Sequence, residues 1–245
     1  MGRFLFVFPP LVGHVTPAVA VADELARRGH DVAWVVHRTA VGHLLGDDAV
    51  VHDLGDEHLA ELAELLPEHD RLRGPASLQF LWEQVLVPLA FAMRGPVAAA
   101  VDELRPDVVV TDQQAFAGAL VAHERGLPWA VSASSTAELV DPLAAVPKVD
   151  AWVRTQIATL IATSNGTGFD PRFSPWLTLQ YSTEAFVGVE DEDGDPPVAF
   201  VGPVVRSTNG SALDGGWGTW LDRHDRNVRN HRSPRSHRLR CCRLR

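Results

Sequence analysis

The chain has 245 residues, of which 46% are hydrophobic, and a formal net charge of −9. This is enough apolar material for one large domain, or for one domain plus further segments. An acidic balance argues against nucleic acid as the main partner. Both cysteines are adjacent, Cys241 and Cys242, so the sequence predicts neither a disulfide framework nor a metal site.

The charge is unevenly distributed along the chain. Residues 1–225 contain all 31 acidic residues and 14 of the 22 Lys+Arg, whereas residues 226–245 contain eight arginines and no acidic residue. The basic tail has no amphipathic period and no interleaved aromatic residues. We therefore expect it to be a disordered, solvated segment and not a nucleic-acid site.

No targeting or membrane segment is predicted. The apolar stretch from Phe4 to Val12 follows Arg3, but Pro9 and Pro10 interrupt it and no convincing cleavage site comes after it. No run of residues approaches the roughly 18 consecutive apolar positions of a membrane span. A cytoplasmic protein is the default expectation.

Short apolar runs alternate with helical patterns, which predicts an α/β fold: a Rossmann-like parallel sheet with helices on both faces. The first strand is Phe4–Phe8. The next helix has Thr16 as its N-cap, Pro17 at its first position and Gly29 at its end. Its apolar face consists of Ala18, Val21, Ala22 and Leu25.

The remaining elements follow the same alternation. Strands are predicted at Asp31–Val36, Ala49–Leu54, Asp107–Thr111, Trp129–Ala133, Leu177–Tyr181 and Val198–Val201. Helices are predicted at Glu57–Leu66, Pro75–Leu104 with interruptions at Pro88 and Gly95–Pro96, Ala115–Arg125 and Val149–Ala162. The first domain spans residues 1–206, residues 207–225 form a linker and the start of another domain, and residues 226–245 form the tail.

Two polar residues lie where open α/β sheets bind ligands, outside the carboxyl ends of strands. His14 follows the first strand and precedes a helix start, and Asp112 stands at the end of an inner strand. A neutral imidazole can accept a proton, and a carboxylate on its other nitrogen would orient it and stabilise the imidazolium. Gly13 would let the backbone turn closely beside His14. Alternatively, His14 is a surface or capping residue and Asp112 caps the helix that begins near Gln113.

Other histidines and motifs add little. His30, His37, His43, His52, His58 and His69 are expected at solvated positions. The sequence has no G-x-G-x-x-G and no Walker A pattern, which argues against a dinucleotide enzyme and a P-loop NTPase. Ser132, Ser134 and Ser135 lack a G-x-S-x-G setting, so a hydrolase nucleophile is unsupported.

Residues 4–35, FLFVFPPLVGHVTPAVAVADELARRGHDVAWV, resemble the opening of GT-B-fold UDP-glycosyltransferases, particularly the bacterial macrolide and natural-product branch. The G-H-V-x-P element begins at Gly13 and is followed by a helix and R-G-H-D-V. Further similarity lies in DVVVTDQQAFAGALVA, GLPWAVSASS, LQYSTEAFVG and FVGPV. The resemblance covers about residues 3–225.

This resemblance implies two Rossmann-like domains facing a cleft, with the acceptor mostly in the first and the nucleotide-sugar mostly in the second. His14 would be the general base and Asp112 its orienting partner, and the sugar would be transferred with inversion and without an obligatory metal or a cofactor. The acceptor would be a small hydrophobic molecule such as a macrolide or another natural product, and the donor a UDP- or TDP-sugar.

The resemblance also implies acceptor-binding residues. A helix would line the acceptor pocket, and the cluster after the fifth strand would contact acceptor or diphosphate; the residues are Phe80, Trp82, Val85 and Leu86, then Ser134, Ser135 and Thr136. Core packing is the alternative for the first group, and a simple turn for the second.

The family continues for about another domain beyond Trp220–Asp225, where this sequence has the arginine-rich tail. A truncated or frameshifted coding sequence is the expected cause, and the chain alone would lack a donor site and activity. One alternative is a non-catalytic acceptor-binding or partner protein. Another is a GT-B enzyme such as the cell-wall N-acetylglucosaminyltransferase, disfavoured because Phe8–Leu11 replaces the glycine-rich loop of that family.

Overall fold

The computed structural model describes residues 1–69, 71–136, 139, 142–164, 168–188 and 197–204, although not the side chains of residue 58 and residues 66–69. The predicted linker and basic tail lie outside the described residues. The domain boundaries proposed from the sequence therefore stay predictions.

Seven parallel strands form one sheet in the order β3-β2-β1-β4-β5-β6-β7. The strands are β1 Arg3–Val7, β2 Asp31–Val36, β3 Val50–Asp53, β4 Val108–Asp112, β5 Trp129–Ala133, β6 Leu177–Gln180 and β7 Val198–Phe200. The predicted limits of β2 and β5 are confirmed, and those of β1 and β4 are displaced by one residue. The predicted Rossmann-like α/β class is confirmed.

Helices connect the strands. They are α1 Val12–Arg27, α2 Arg38–Val41, α3 Glu57–His69, α4 Pro75–Phe80, α5 Val87–Leu104, α6 Phe116–Glu124, α7 Pro147–Ala162 and α8 Glu184–Val187. A short 3₁₀ turn follows α2 at Gly42–Leu44, and a π-type turn joins α4 to α5 at Leu81–Leu86.

Both faces of the central strands are buried, as the continuous apolar runs predict. Because side chains alternate along a strand, Phe6 and Phe8 pack with α1 residues such as Val15 and Ala18 on one face. Leu5, Val7 and Val109 pack with residues of α5 and α6 on the other, among them Met93, Val97, Ala119 and Val121. The sheet therefore lies between two layers of helices.

The predicted start of α1 is wrong by about one turn. The helix begins at Val12, and the amides of His14 and Val15 already donate to the Leu11 carbonyl at 3.0 and 3.1 Å. Thr16 lies inside the helix and its hydroxyl donates to the Val12 carbonyl at 2.8 Å, so it is no cap. Pro17 is the sixth residue of α1 and lies inside the helix, where it removes the amide that would donate to the Gly13 carbonyl. The predicted end is confirmed, since Gly29 has φ +84°.

The interruption predicted at Gly95–Pro96 is wrong, because α5 runs through both residues. Near Pro88 the backbone stays helical, but its hydrogen-bond pattern changes there from the π-type turn Leu81–Leu86 to α5. Proline has no amide proton to donate, which agrees with a change of pattern at this point. The buried series Leu89, Met93, Val97 and Val101 recurs every four residues and fixes this helix against the sheet. Burial of this face outweighs the local preference for a break at proline.

The same stretch corrects the expectation about apolar length. Pro75–Leu104 has 30 residues, and an 18-residue window in it reaches a mean hydropathy of 1.5, so it is long and apolar enough to cross a membrane by length and composition. In this fold, one third of that window is buried inside the protein. Core helices commonly meet the same criterion.

Candidate active site

The side of the sheet on which successive strands are added changes between β1 and β4. From β1 the chain builds outward through β2 and β3, and it then returns to the other side of β1 for β4, β5, β6 and β7. At such a switch point the carboxyl ends of two neighbouring strands open a crevice that binds ligands in α/β proteins. His14, in the first turn of α1, and Asp112, the last residue of β4, both lie at this point.

His14 and Asp112 are in direct contact. His14 Nδ1 lies 2.9 Å from Asp112 Oδ1 and 3.0 Å from Oδ2. Asp112 is fully buried, and its Oδ1 also accepts a hydrogen bond from the Gln114 amide at 2.9 Å. The capping alternative is thus only partly right, because Asp112 closes the turn before α6 without being the N-cap of that helix.

Electrostatics favour a definite arrangement of protons in this pair. Burial raises the pKa of Asp112, while the hydrogen bonds from His14 and Gln114 act in the opposite direction. When Asp112 is ionised it can only accept, so the His14 proton belongs on Nδ1. Nε2 then carries a lone pair. No described residue bonds to Nε2, and 18% of the His14 side chain is exposed. The pair can therefore accept a proton from a bound molecule.

Residues after β5 complete the surroundings of His14. Ser134 Oγ lies 2.9 Å from His14 Nδ1, and Ser135 Oγ accepts from Gln113 Nε2 at 2.8 Å. The side chain of Thr136 makes no hydrogen bond with a described residue, although its carbonyl accepts from the Leu139 amide. Contacts of this cluster with acceptor or diphosphate stay predictions.

The predicted pocket-lining helix contributes mainly to the core. Trp82 stacks on Phe116 with ring centroids 5.4 Å apart, and Trp82 and Leu86 belong to one buried cluster. Phe80 is buried and Val85 is half-buried. Core packing describes Trp82 and Leu86 well, and the acceptor contacts of all four residues stay predictions.

The close turn expected at Gly13 is not present. Gly13 is the second residue of α1, it is not among the residues with positive φ, and a Cβ atom added to it would meet nothing within 4 Å. An early start of α1 makes its backbone helical. Its conformation therefore does not require glycine. Its predicted contact with an acceptor is untested.

Sequence reasoning missed three polar residues at this edge. The Tyr181 hydroxyl lies 3.1 Å from Ser132 Oγ, and Ser132 is the register partner of Asp112. Burial raises the pKa of Tyr181 to about 12, and the Asp112 charge adds to this while the Ser132 hydrogen bond opposes it. Gln113, directly after β4, is also buried. The rule that picked out Asp112, a polar residue at a strand's carboxyl end, applies equally to Tyr181.

The expectation of solvated histidines is wrong for His37. It directly follows β2 and is fully buried, and its carbonyl accepts from the amides of Ala40 and Val41 in α2. His30 is also engaged, because its Nδ1 accepts from the Gly2 amide at 3.0 Å. Among the described residues, no group of three or more His, Cys, Asp and Glu could hold a metal ion.

Comparison with known proteins places these features in context. The matching relatives include 4′-demethylrebeccamycin synthase of Lentzea aerocolonigenes, 31% identical over 141 residues, or 54% of this chain and 32% of the relative. Zeaxanthin glucosyltransferase of Pantoea ananas is 31% identical over 53% of this chain and 30% of its own length. Elloramycin glycosyltransferase ElmGT of Streptomyces olivaceus is 32% identical over 51% of this chain and 35% of its own length.

Solved structures agree on the fold. The kitacinnamycin glycosyltransferase superposes with a TM-score of 0.60 at 20% identity, covering 86% of this chain and 54% of that chain. The glycosyltransferase SsfS6 of Streptomyces sp. SF2575, complexed with thymidine diphosphate, gives a TM-score of 0.51 at 20% identity, with shares of 74% and 49%. The chain is therefore similar in sequence to part of several glycosyltransferases, and it shares its fold with solved glycosyltransferase structures.

This relationship is partial in extent. The match spans about a third of the curated relatives and about half of the solved structures. No protein-family model matches. A cell-wall N-acetylglucosaminyltransferase of Marinobacter nauticus also matches, at 30% identity over 47% of this chain and 34% of its own length. The class that the sequence disfavoured is therefore also among the relatives.

Proposed function

We propose that the chain is the acceptor-binding half of an inverting glycosyltransferase in which His14 is the general base. The observation that carries this proposal is the contact between His14 Nδ1 and Asp112 at the switch point of the sheet. It supplies an unshared Nε2 lone pair on a histidine that remains partly exposed. The glycosyltransferase relatives supply the class of reaction.

The chemistry requires one proton transfer and one displacement. His14 Nε2 takes the proton of an acceptor hydroxyl, and the hydroxyl oxygen forms a bond to the anomeric carbon of the donor sugar. The bond from that carbon to the diphosphate breaks on the opposite face, so the configuration inverts and the nucleoside diphosphate leaves with the electron pair. Asp112 balances the charge of the imidazolium. General-base assistance contributes about 10²–10⁴-fold in rate.

A hydrophobic acceptor agrees with the rim of this site. Leu11 and Val12 lie three and two residues before His14 in the chain, and these residues are 41% and 52% exposed. Exposed apolar residues beside a polar site suit an aglycone with a large apolar body and one reactive hydroxyl. The zeaxanthin and elloramycin in the names of two relatives favour natural products as the acceptor class.

The donor is a nucleotide-sugar, with UDP and TDP as the proposed nucleotides, and the reaction needs neither a metal nor a cofactor. The thymidine diphosphate bound by the neighbouring SsfS6 structure favours TDP. Because the chain spans about half of the solved structures, we assign it the acceptor side of the reaction and place the donor side elsewhere. The described part of the chain by itself then transfers no sugar.

A chimaera tests this proposal. Residues 1–204 are joined to the C-terminal half of the kitacinnamycin glycosyltransferase, and transfer from TDP- and UDP-sugars to a panel of macrolide, polyketide and carotenoid hydroxyls is followed by mass spectrometry. We expect His14→Gln to lower transfer by about 10²–10⁴-fold. The matched control His43→Gln replaces an exposed histidine of the 3₁₀ turn and should leave transfer unchanged.

The same experiment separates the alternatives. Transfer that is equally fast in His14→Gln would reject the general base. Binding of an aglycone to the natural chain, measured by tryptophan fluorescence, without transfer by any chimaera would favour the non-catalytic binding protein. Transfer of N-acetylglucosamine to a lipid-linked acceptor alone would favour the cell-wall class.

A further inference from the structure

We draw no further inference here: the strongest candidate, the buried Gln113 side chain at the carboxyl end of β4, whose Oε1 has no hydrogen-bond partner among the described residues, belongs to the site already described, and nothing in the structure shows which group would bind to that oxygen.

Discussion

Gly118 of α6 lies directly against Thr111 of β4. A Cβ atom on Gly118 would approach Thr111 Oγ1 and would lie 2.6 Å from Thr111 Cβ and 3.1 Å from Val7 Cβ. The Thr111 hydroxyl meanwhile donates to the Ala115 carbonyl at 2.8 Å. A glycine at this position therefore lets α6 approach the strand that ends in Asp112.

We expect Gly118→Ala to destabilise the protein by about 1–3 kcal/mol, because an extra methyl group in this closely packed contact forces β4 and α6 apart. Gly13→Ala is the matched control. Gly13 is an exposed helical glycine whose Cβ position is open, so alanine should not destabilise and should gain at most about 1 kcal/mol. Urea unfolding of both variants gives their free energies of unfolding. Destabilisation of the same size in both variants would contradict the close contact between Gly118 and Thr111.

Asp112→Asn should stabilise the protein at neutral pH. Burial raises the pKa of Asp112, so the folded state holds this proton more tightly than the unfolded state. The free energy of unfolding of the wild type therefore falls as the pH rises above the ordinary carboxyl range. Asparagine has no charge to bury. The difference in free energy of unfolding between the variant and the wild type should therefore be largest at neutral pH and should shrink in acid.

Asp107→Asn should change stability in the opposite direction to Asp112→Asn at neutral pH. Hydrogen bonding from the Arg3 amide lowers the pKa of Asp107, so its ionised form stabilises the folded state above the ordinary carboxyl pKa. Its replacement should be neutral in acid and mildly destabilising at neutral pH. Denaturant unfolding at several pH values measures both profiles, and an Asp112→Asn gap that grows in acid would reject the buried-carboxylate explanation.

Alkaline titration should isolate Tyr181, which is the only tyrosine in the chain. Phenolate absorbance should appear near pH 12 in the folded protein and near pH 10 in urea. Since the folded pKa is the higher one, the protein should lose stability as the pH rises from about 10 to 12. Asp112→Asn should lower the pKa of Tyr181 and Ser132→Ala should raise it. Ionisation of the folded chain near pH 10 would show that the phenol is not buried.

Trp82→Ala tests whether Trp82 serves the core. Its stacking on Phe116 and its burial predict a loss of about 3–5 kcal/mol in the free energy of unfolding. Trp82→Phe, which keeps an aromatic ring, should cost much less. Phe186→Ala is the surface control, since Phe186 is 82% exposed and its removal should stay within about 0.5 kcal/mol. Equal small effects in Trp82→Ala and Phe186→Ala would favour a pocket-lining role.

Local signals predicted the elements well and their boundaries less well. The β-branched run before Asp112 predicted β4 because a strand buried on both faces needs apolar residues at every position. The start of α1 was misplaced because Thr16 and Pro17 satisfy capping rules that the earlier turn at Leu11 overrides. Pro96 likewise does not interrupt α5, because burial of the apolar face along the whole helix stabilises it by more than one internal proline costs.

The sequence by itself determined the alternation of strands and helices along the chain and placed His14 and Asp112 after strand ends, because these features depend on residues close together in the chain. Only the tertiary structure decided that His14 and Asp112 touch, although 98 positions separate them. The parallel pairing of β1 with β4 sets that contact, and the pairing of β4 with β5 adds Ser134 to it. The order of the strands within the sheet, and their register, arise from burial of the whole sheet, which no local pattern encodes.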